Sequence, residues 1–404
     1  MSKTNWTHNI IENLSDTGHA TDLMTRRRFL NFSLKAITGM SSLVVLNPFV
    51  RVLQRVLVNQ PPGLTTNSEG LNFNNDYAGM RVLYSMGTLV TIQAIGSSKK
   101  VVEEAMEAAV YEIQQVEALM SVQNPESQLS AVNKASLHEL IPVDVKLLEV
   151  AEASVKFGHL TDGALDVTVL PLMQLWGFYD TKNQLPDSKK LNSALKQVNY
   201  HAIKIDRKKS GLTLTSRVQL DFGGIAKGYA VDRAVQILRE YGIRSALIDA
   251  GGDIYALGTP PDKEAWIIGI RNPNKPQNIF ATVGIKDAAI ATSGNYERYR
   301  MIDGKRYGHL INPRTGLPVA NMLSTTVVAP TTMQADALST ASFVLGSKEG
   351  LELLQDMQKI EGVLVEEKQI LVTHGLKKRI KVVNTNELKV VESGIKNWFF
   401  KASW

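Results

Sequence analysis

The segment Leu220 to Asp232 reads LDFGGIAKGYAVD and joins three kinds of local structure within one short stretch. An apolar run ending on Asp221 predicts a strand, Gly223 and Gly224 a turn, and the pattern from Ile225 to Tyr241 a helix with Lys227 near its start. Glycines let the backbone approach a ligand, and a helix start offers unpaired N–H groups to an anion. A lysine adds a point charge suited to phosphate. These residues therefore suit a nucleotide diphosphate. They equally suit an ordinary strand-turn-helix with a surface lysine, and the spacing is neither a Walker A loop nor G-x-G-x-x-G.

A second cluster lies in MQADALSTASFVLG, where a helix is expected from Met333 to Leu345 with a stop at Gly346. Asp336 and Thr340 stand four residues apart on one face, so a carboxylate and a hydroxyl point into the same space. A hard divalent ion takes such oxygens. A threonine bonded back to its own helix carbonyl is the plainer alternative. The chain contains no cysteine, which excludes disulfides, thiolate metal sites and iron–sulfur clusters. Any metal must use oxygen or imidazole ligands, which favours Mg2+.

The third cluster is ATSGNYERYRMIDGKRYGHLINPRTGLPV, with a hairpin expected at Asp303-Gly304 and a dense turn from Asn312 to Gly316. His309 just before that turn can do acid-base work or bind a phosphate, or it can be a satisfied structural histidine.

The amino terminus resembles a twin-arginine export signal: TRRRFLN at 25–31 precedes the apolar run FSLKAITGMSSLVVLNPFV. About 18 apolar residues are needed to span a bilayer, and Lys35, Asn47 and Pro48 interrupt this run. Residues 1–50 are expected to be a signal or anchor that associates with the membrane, 51–79 a polar linker, and 80–404 the folded body. That address places the protein outside the cytoplasm, in the periplasm or anchored at the periplasmic face of the inner membrane. In the body, RVLYSMGTLVTIQAIG reads as a strand and KKVVEEAMEAAVYEIQQVEALM as an amphipathic helix. A second helix is expected from Asp144 to Leu160, and SALIDAGGDIYALG as a buried strand broken at its Gly pair. Strand and helix alternate without a repeat, which predicts an α+β body of one intertwined domain with a smaller α/β lobe. The net charge of +6, from 45 basic and 39 acidic residues, is too small and too dispersed to indicate a nucleic-acid groove.

Taken in order, MGT at 86–88, PESQLSAVN, TDGALDVTVLPLMQLWGF, LDFGGIAKGYAVD, IDAGGDIYALG, ATSGNYERY, HLINPRTGLPV and ADALSTA resemble the ApbE-type FAD:protein FMN transferases. The resemblance runs from about Met80 to about Val365 and implies a T-fold-like body. It further implies that FAD and Mg2+ are bound, that FMN is transferred to a threonine or serine hydroxyl of an exported target protein, and that AMP is released. The target would belong to an electron-transfer complex. By the same resemblance, Met86, Ala164, Leu165, Asp166, Asp221, Lys227 and His309 are expected to contact FAD. The Gly224 carbonyl with the side chains of Asp336 and Thr340 is expected to hold the metal. His309, or a nearby carboxylate, is the candidate to take the proton of the acceptor hydroxyl. FAD hydrolysis by water, or FAD binding without turnover in assembly of a respiratory complex, are the alternatives. Two positions depart from the family pattern: Gln123 stands where some members have a tyrosine, and Asn312 where many have an aspartate.

Overall fold

The computed structural model describes residues 43–45, 71–73, 76–180, 184–383, 388–392 and 398–402. Its centre is an 11-stranded antiparallel sheet. From one edge to the other the strands are Leu388–Glu392, Trp398–Ala402, Gln369–Val372, Glu361–Glu366, Met322–Ala329, Ala288–Gly294, Asp253–Leu257, Ser245–Ala250, Thr88–Gly96, Asp76–Ser85 and Leu71–Phe73.

The central strands are apolar on both faces because both faces are covered. Tyr255, Leu257, Ala289, Ala291 and Val327 face the larger core, formed with the helices Lys99–Met120, Ala226–Glu240, Thr332–Leu345 and Ser347–Gln355. Their neighbours Ile254, Ala256, Ile290 and Val328 point the other way, into a second core. A 4-stranded sheet built on Trp266–Asn272 and Lys275–Ile285 closes that side with Trp266, Ile268, Phe280 and Val283. Each Val, Leu or Ile so buried contributes about 2 kcal/mol relative to exposure.

The smaller lobe carries the helix Val145–Leu160, begun by Asp144 accepting from Lys146 N, and a 3-stranded sheet of Leu140–Pro142, Gly211–Leu214 and Ile203–Asp206. A third cluster of Leu172, Met173, Trp176, Phe178, Ala194 and Ile311 joins this lobe to the turn after His309. The expected α+β body with a smaller lobe is the observed architecture.

Three boundaries differ from the sequence reading. RVLYSMGTLVTIQAIG is a hairpin, not one strand: Met86 and Gly87 take φ of 53° and 74°, and Ser85 pairs with Thr88. Two consecutive left-handed residues make the turn that matches strand twist, and methionine is an unusual occupant of it. The expected linker at 51–79 is already sheet at its end, because Leu71–Phe73 pairs with Asp76–Ser85. Its length of three residues suits an edge. From the expected signal at 1–50, Leu43–Val45 pairs antiparallel with Trp266–Asn272; the rest of that segment lies outside the described residues. No helix among the described residues is long and apolar enough to cross a membrane.

Candidate functional site

The site is organised by the crossing of two helices, Ala226–Glu240 and Thr332–Leu345. They touch at Gly228, where an added Cβ would lie 2.4 Å from the Thr332 carbonyl oxygen. One turn on, Asp232 accepts from Thr332 N at 2.7 Å and Met333 N at 2.9 Å, satisfying the start of the second helix. Burial pushes the Asp232 carboxyl up to about 6 despite those bonds.

The same crossing brings Asp336 to the start of the first helix, where its Oδ2 accepts from Gly228 N at 3.1 Å. This N–H was expected to face a ligand anion. It is taken instead by the protein's own carboxylate, which the helix dipole also favours. Lys227 Nζ lies 3.4 Å from Asp336 Oδ2, 3.4 Å from the Gly223 carbonyl and 2.8 Å from Asp253 Oδ2. Burial alone would depress the Lys227 pKa; the two carboxylates outweigh it and hold the ammonium charged. With two carboxylates and one ammonium, burial and the charge of Asp336 drive Asp253 well above the usual carboxylate range. Lys227 and Asp336, expected to serve FAD and metal separately, therefore belong to one cluster.

Gly224 adjoins this cluster. A Cβ there would sit 3.3 Å from Thr340 Oγ1 and 3.4 Å from Leu165 Cδ1, so an added methyl would press both side chains back by a few tenths of an ångström, on a backbone that is not left-handed. Thr340 Oγ1 also lies 3.2 Å from Ser293 Oγ, whose strand ends beside the helix. Gly224 and Thr340, expected at the metal, thus lie side by side, and Leu165, expected at FAD, adjoins them.

On the other side stand Asp221 and His309. Asp221 Oδ2 accepts from the Tyr179 hydroxyl at 2.5 Å and Oδ1 from Gly223 N at 2.9 Å. The Arg298 guanidinium lies over the Tyr179 ring at 5.4 Å and donates to the Phe178 carbonyl. His309 packs edge-on against Phe178, and its Nδ1 is 3.0 Å from the Arg298 carbonyl oxygen. A carbonyl can only accept, so Nδ1 carries the hydrogen and Nε2 keeps its lone pair. Burial, then the charges of Arg298 and Lys227, lower the His309 pKa to about 4. At neutral pH the ring is an uncharged base.

The loop holding Ala164 and Leu165 is buried and fixed from several sides. Leu165 N donates to Thr161 Oγ1 at 3.0 Å, and Arg314 reaches the Asp162 carbonyl at 2.8 Å from the turn after His309. Asp166 accepts from Thr168 N, Thr168 Oγ1 and Tyr200 N, so both its oxygens already have protein donors, and burial raises its pKa. Met86 sits at the hairpin turn, half-buried against the larger core. Asn312 holds its turn through Arg314 N at 2.9 Å.

Sequence reasoning missed Asp253, Gly228, Tyr179 and Arg298. For Asp253 a signal existed: an acidic residue between the Gly pair and the run Ile254–Leu257 heads a buried strand, and a buried carboxylate needs a cation.

Among the described residues no group of three or more His, Asp or Glu is arranged to hold a metal. The oxygen donors near Gly224, one carboxylate and one hydroxyl a helical turn apart beside a closely approached backbone, fit a hard cation that also uses a carbonyl.

This arrangement of sheet and helices is that of solved ApbE structures. The fold superimposes on the ApbE protein of Thermotoga maritima with a TM-score of 0.68 at 32% identity, covering 74% of this chain and 97% of that one. For the flavin transferase ApbE of Vibrio cholerae the TM-score is 0.66 at 28% identity, over 75% and 99% of the two chains. The FAD:protein FMN transferase of Haemophilus influenzae is 33% identical over 282 residues, 67% of this chain and 82% of that protein. The ApbE family model matches residues 86–364, and the chain belongs to the ApbE family.

Proposed function

We propose that the chain is a FAD:protein FMN transferase, moving FMN from FAD to a threonine or serine hydroxyl of a protein and releasing AMP. The observation that carries this reading is His309, neutral with Nε2 free, in the electrostatic reach of the Lys227–Asp253–Asp336 cluster. Named relatives with this activity, similar over most of their length, support it.

In this reading Nε2 of His309 accepts the proton of the acceptor hydroxyl. The hydroxyl oxygen bonds to the FMN phosphorus, the bond from that phosphorus to the bridging oxygen of the AMP phosphate breaks, and AMP leaves. Lys227, fixed by two carboxylates, offsets charge that develops on the departing phosphate. Asp336 and Thr340 with the Gly224 carbonyl would hold Mg2+, which supplies further neutralisation of the pyrophosphate. Met86, Ala164 and Leu165 form the FAD wall, and Asp166 and Asp221, engaged by protein donors, keep that wall in shape. The acceptor is an exported electron-transfer protein, reached because the arginines at 26–28 direct the chain to the periplasmic side.

The test is to incubate the purified chain with FAD, Mg2+ and hydroxyl-bearing acceptor proteins. Covalent flavin fluorescence after denaturing electrophoresis, with AMP released in equal amount, is expected. AMP release at the same rate without any acceptor would instead identify a hydrolase. Export is tested separately by fusing residues 1–50 to a reporter and replacing Arg27 and Arg28 with lysine, which is expected to keep the reporter in the cytoplasm.

A further inference from the structure

The hairpin formed by Tyr299–Ile302 and Lys305–Gly308 grows directly from His309. Its ladder pairs Tyr299 with Gly308, and the next bond inward is His309 N donating to the Arg298 carbonyl at 3.0 Å. Among the described residues neither strand pairs with a third, so the two form a sheet of their own with both edges open. The register divides its side chains. Arg300 and Tyr307 turn towards the body, where Tyr307 meets the Trp176 ring at 5.4 Å and Arg300 donates to the Asp180 carbonyl. Tyr299, Met301 and Arg306 share the opposite face, with Tyr299 47% and Met301 48% exposed.

We propose that this outer face docks the acceptor protein, taking an extended, acidic segment that flanks the hydroxyl to be modified. The inference rests on the transferase reading and names the partner of that same site. An exposed tyrosine beside a methionine and an arginine is the composition of an interface centre. Arg306 lies over the Tyr299 ring and Lys305 over the Tyr307 ring, each at 5.4 Å, and neither has a carboxylate within ion-pair distance among the described residues. Arg298 and Arg300 are turned inward, Arg300 beside Asp180, so the free charge of the outer face is Arg306, with the exposed Lys305 next to it in the strand and Asp303 as the one acid at the tip. A partner that brings carboxylates completes these charges. An open strand edge accepts an extended segment through its main chain. At about 3.3 Å per residue the four-residue strands reach roughly 13 Å from His309. Recognition therefore falls within about four residues of the modified hydroxyl.

The test replaces the chain in its source cells with Arg306→Glu or with the double variant Tyr299→Ala/Met301→Ala, and follows covalent flavin on exported proteins by in-gel fluorescence. The purified variants are expected to keep wild-type FAD affinity and melting temperature, because the three side chains lie on the surface. Covalent flavin is expected to fall about tenfold or more, the loss of a single strong interface contact. Wild-type labelling in both variants overturns the docking proposal. Normal labelling of soluble acceptors with lost binding to phosphatidylglycerol vesicles also overturns it, since the face would then meet a membrane. Absence of covalent flavin with the unmodified chain overturns the transferase reading itself and removes the docking proposal with it.

Discussion

Lys227 places its ammonium nitrogen 2.8 Å from Oδ2 of Asp253, a pairing between the first turn of a helix and the first residue of a strand. Asp253 is buried, Lys227 keeps a quarter of its side chain exposed, and both share the buried Asp336, so the cluster holds one more acid than base.

That imbalance sets the effect of Lys227→Met. The variant leaves two buried carboxylates without their cation, a loss of about 3–5 kcal/mol at pH 8. Burial and the charge of Asp336 hold the folded Asp253 carboxyl above its unfolded pKa, so the deficit is absent when the carboxyls are protonated in both states and grows as pH rises. Urea unfolding at pH 5 and pH 8 is expected to give a smaller deficit at pH 5; equal deficits would show that the ammonium does not hold the two acids.

Gly228→Ala gains helix propensity of about 1 kcal/mol and still destabilises. The added methyl meets the Thr332 carbonyl at 2.4 Å, backbone that cannot turn aside. Overpacking of this kind costs about 1–3 kcal/mol, and here it also shifts Asp336 relative to Lys227. Transfer activity is expected to fall more than thermal stability, measured on the same preparation.

His309 links stability to pH. The unfolded imidazole titrates near 6.5 and the folded one near 4. Its contribution is full above pH 6.5 and is lost as pH falls through about 4, a span worth up to about 3 kcal/mol. His309→Gln removes that span while retaining a donor for the Arg298 carbonyl. Wild type is expected to lose more stability than the variant between pH 7.5 and 4.5. Transfer by the variant is expected to slow by about 10²–10⁴-fold with FAD affinity retained.

Asp336→Ala takes away an oxygen of the proposed metal site and the acceptor for Gly228 N. Mg2+ titration of the variant is expected to leave AMP release at its metal-free rate, and a magnesium response like that of wild type would remove Asp336 from the metal site.

Much of this was legible in the chain. The helix carrying Asp336 and Thr340 is marked in the sequence by its stop at Gly346, whose φ of +85° ends it. The strand, glycines and lysine at 220–227 stand in the expected order. Other features depend on what lies opposite. Gly228 looks like a helix flaw until Thr332 crosses it, and Asp253 looks like a stray charge until Lys227 faces it. The anion at the helix start was read as a ligand because nothing local reveals that Asp336, distant in sequence, fills the place. Met86 hid a hairpin because methionine carries no turn signal.

The double covering of the central sheet extends the site's vulnerability beyond anything that touches a ligand. Asp253 turns towards the helices, while Ile254, one peptide away, is wedged in the core behind the sheet. A cavity there, as in Ile254→Ala, costs about 2–5 kcal/mol and loosens the strand that aims the carboxylate. A genetic screen for lost flavin labelling would thus recover positions from the hidden layer, and a map of the binding surface alone would leave those hits unexplained.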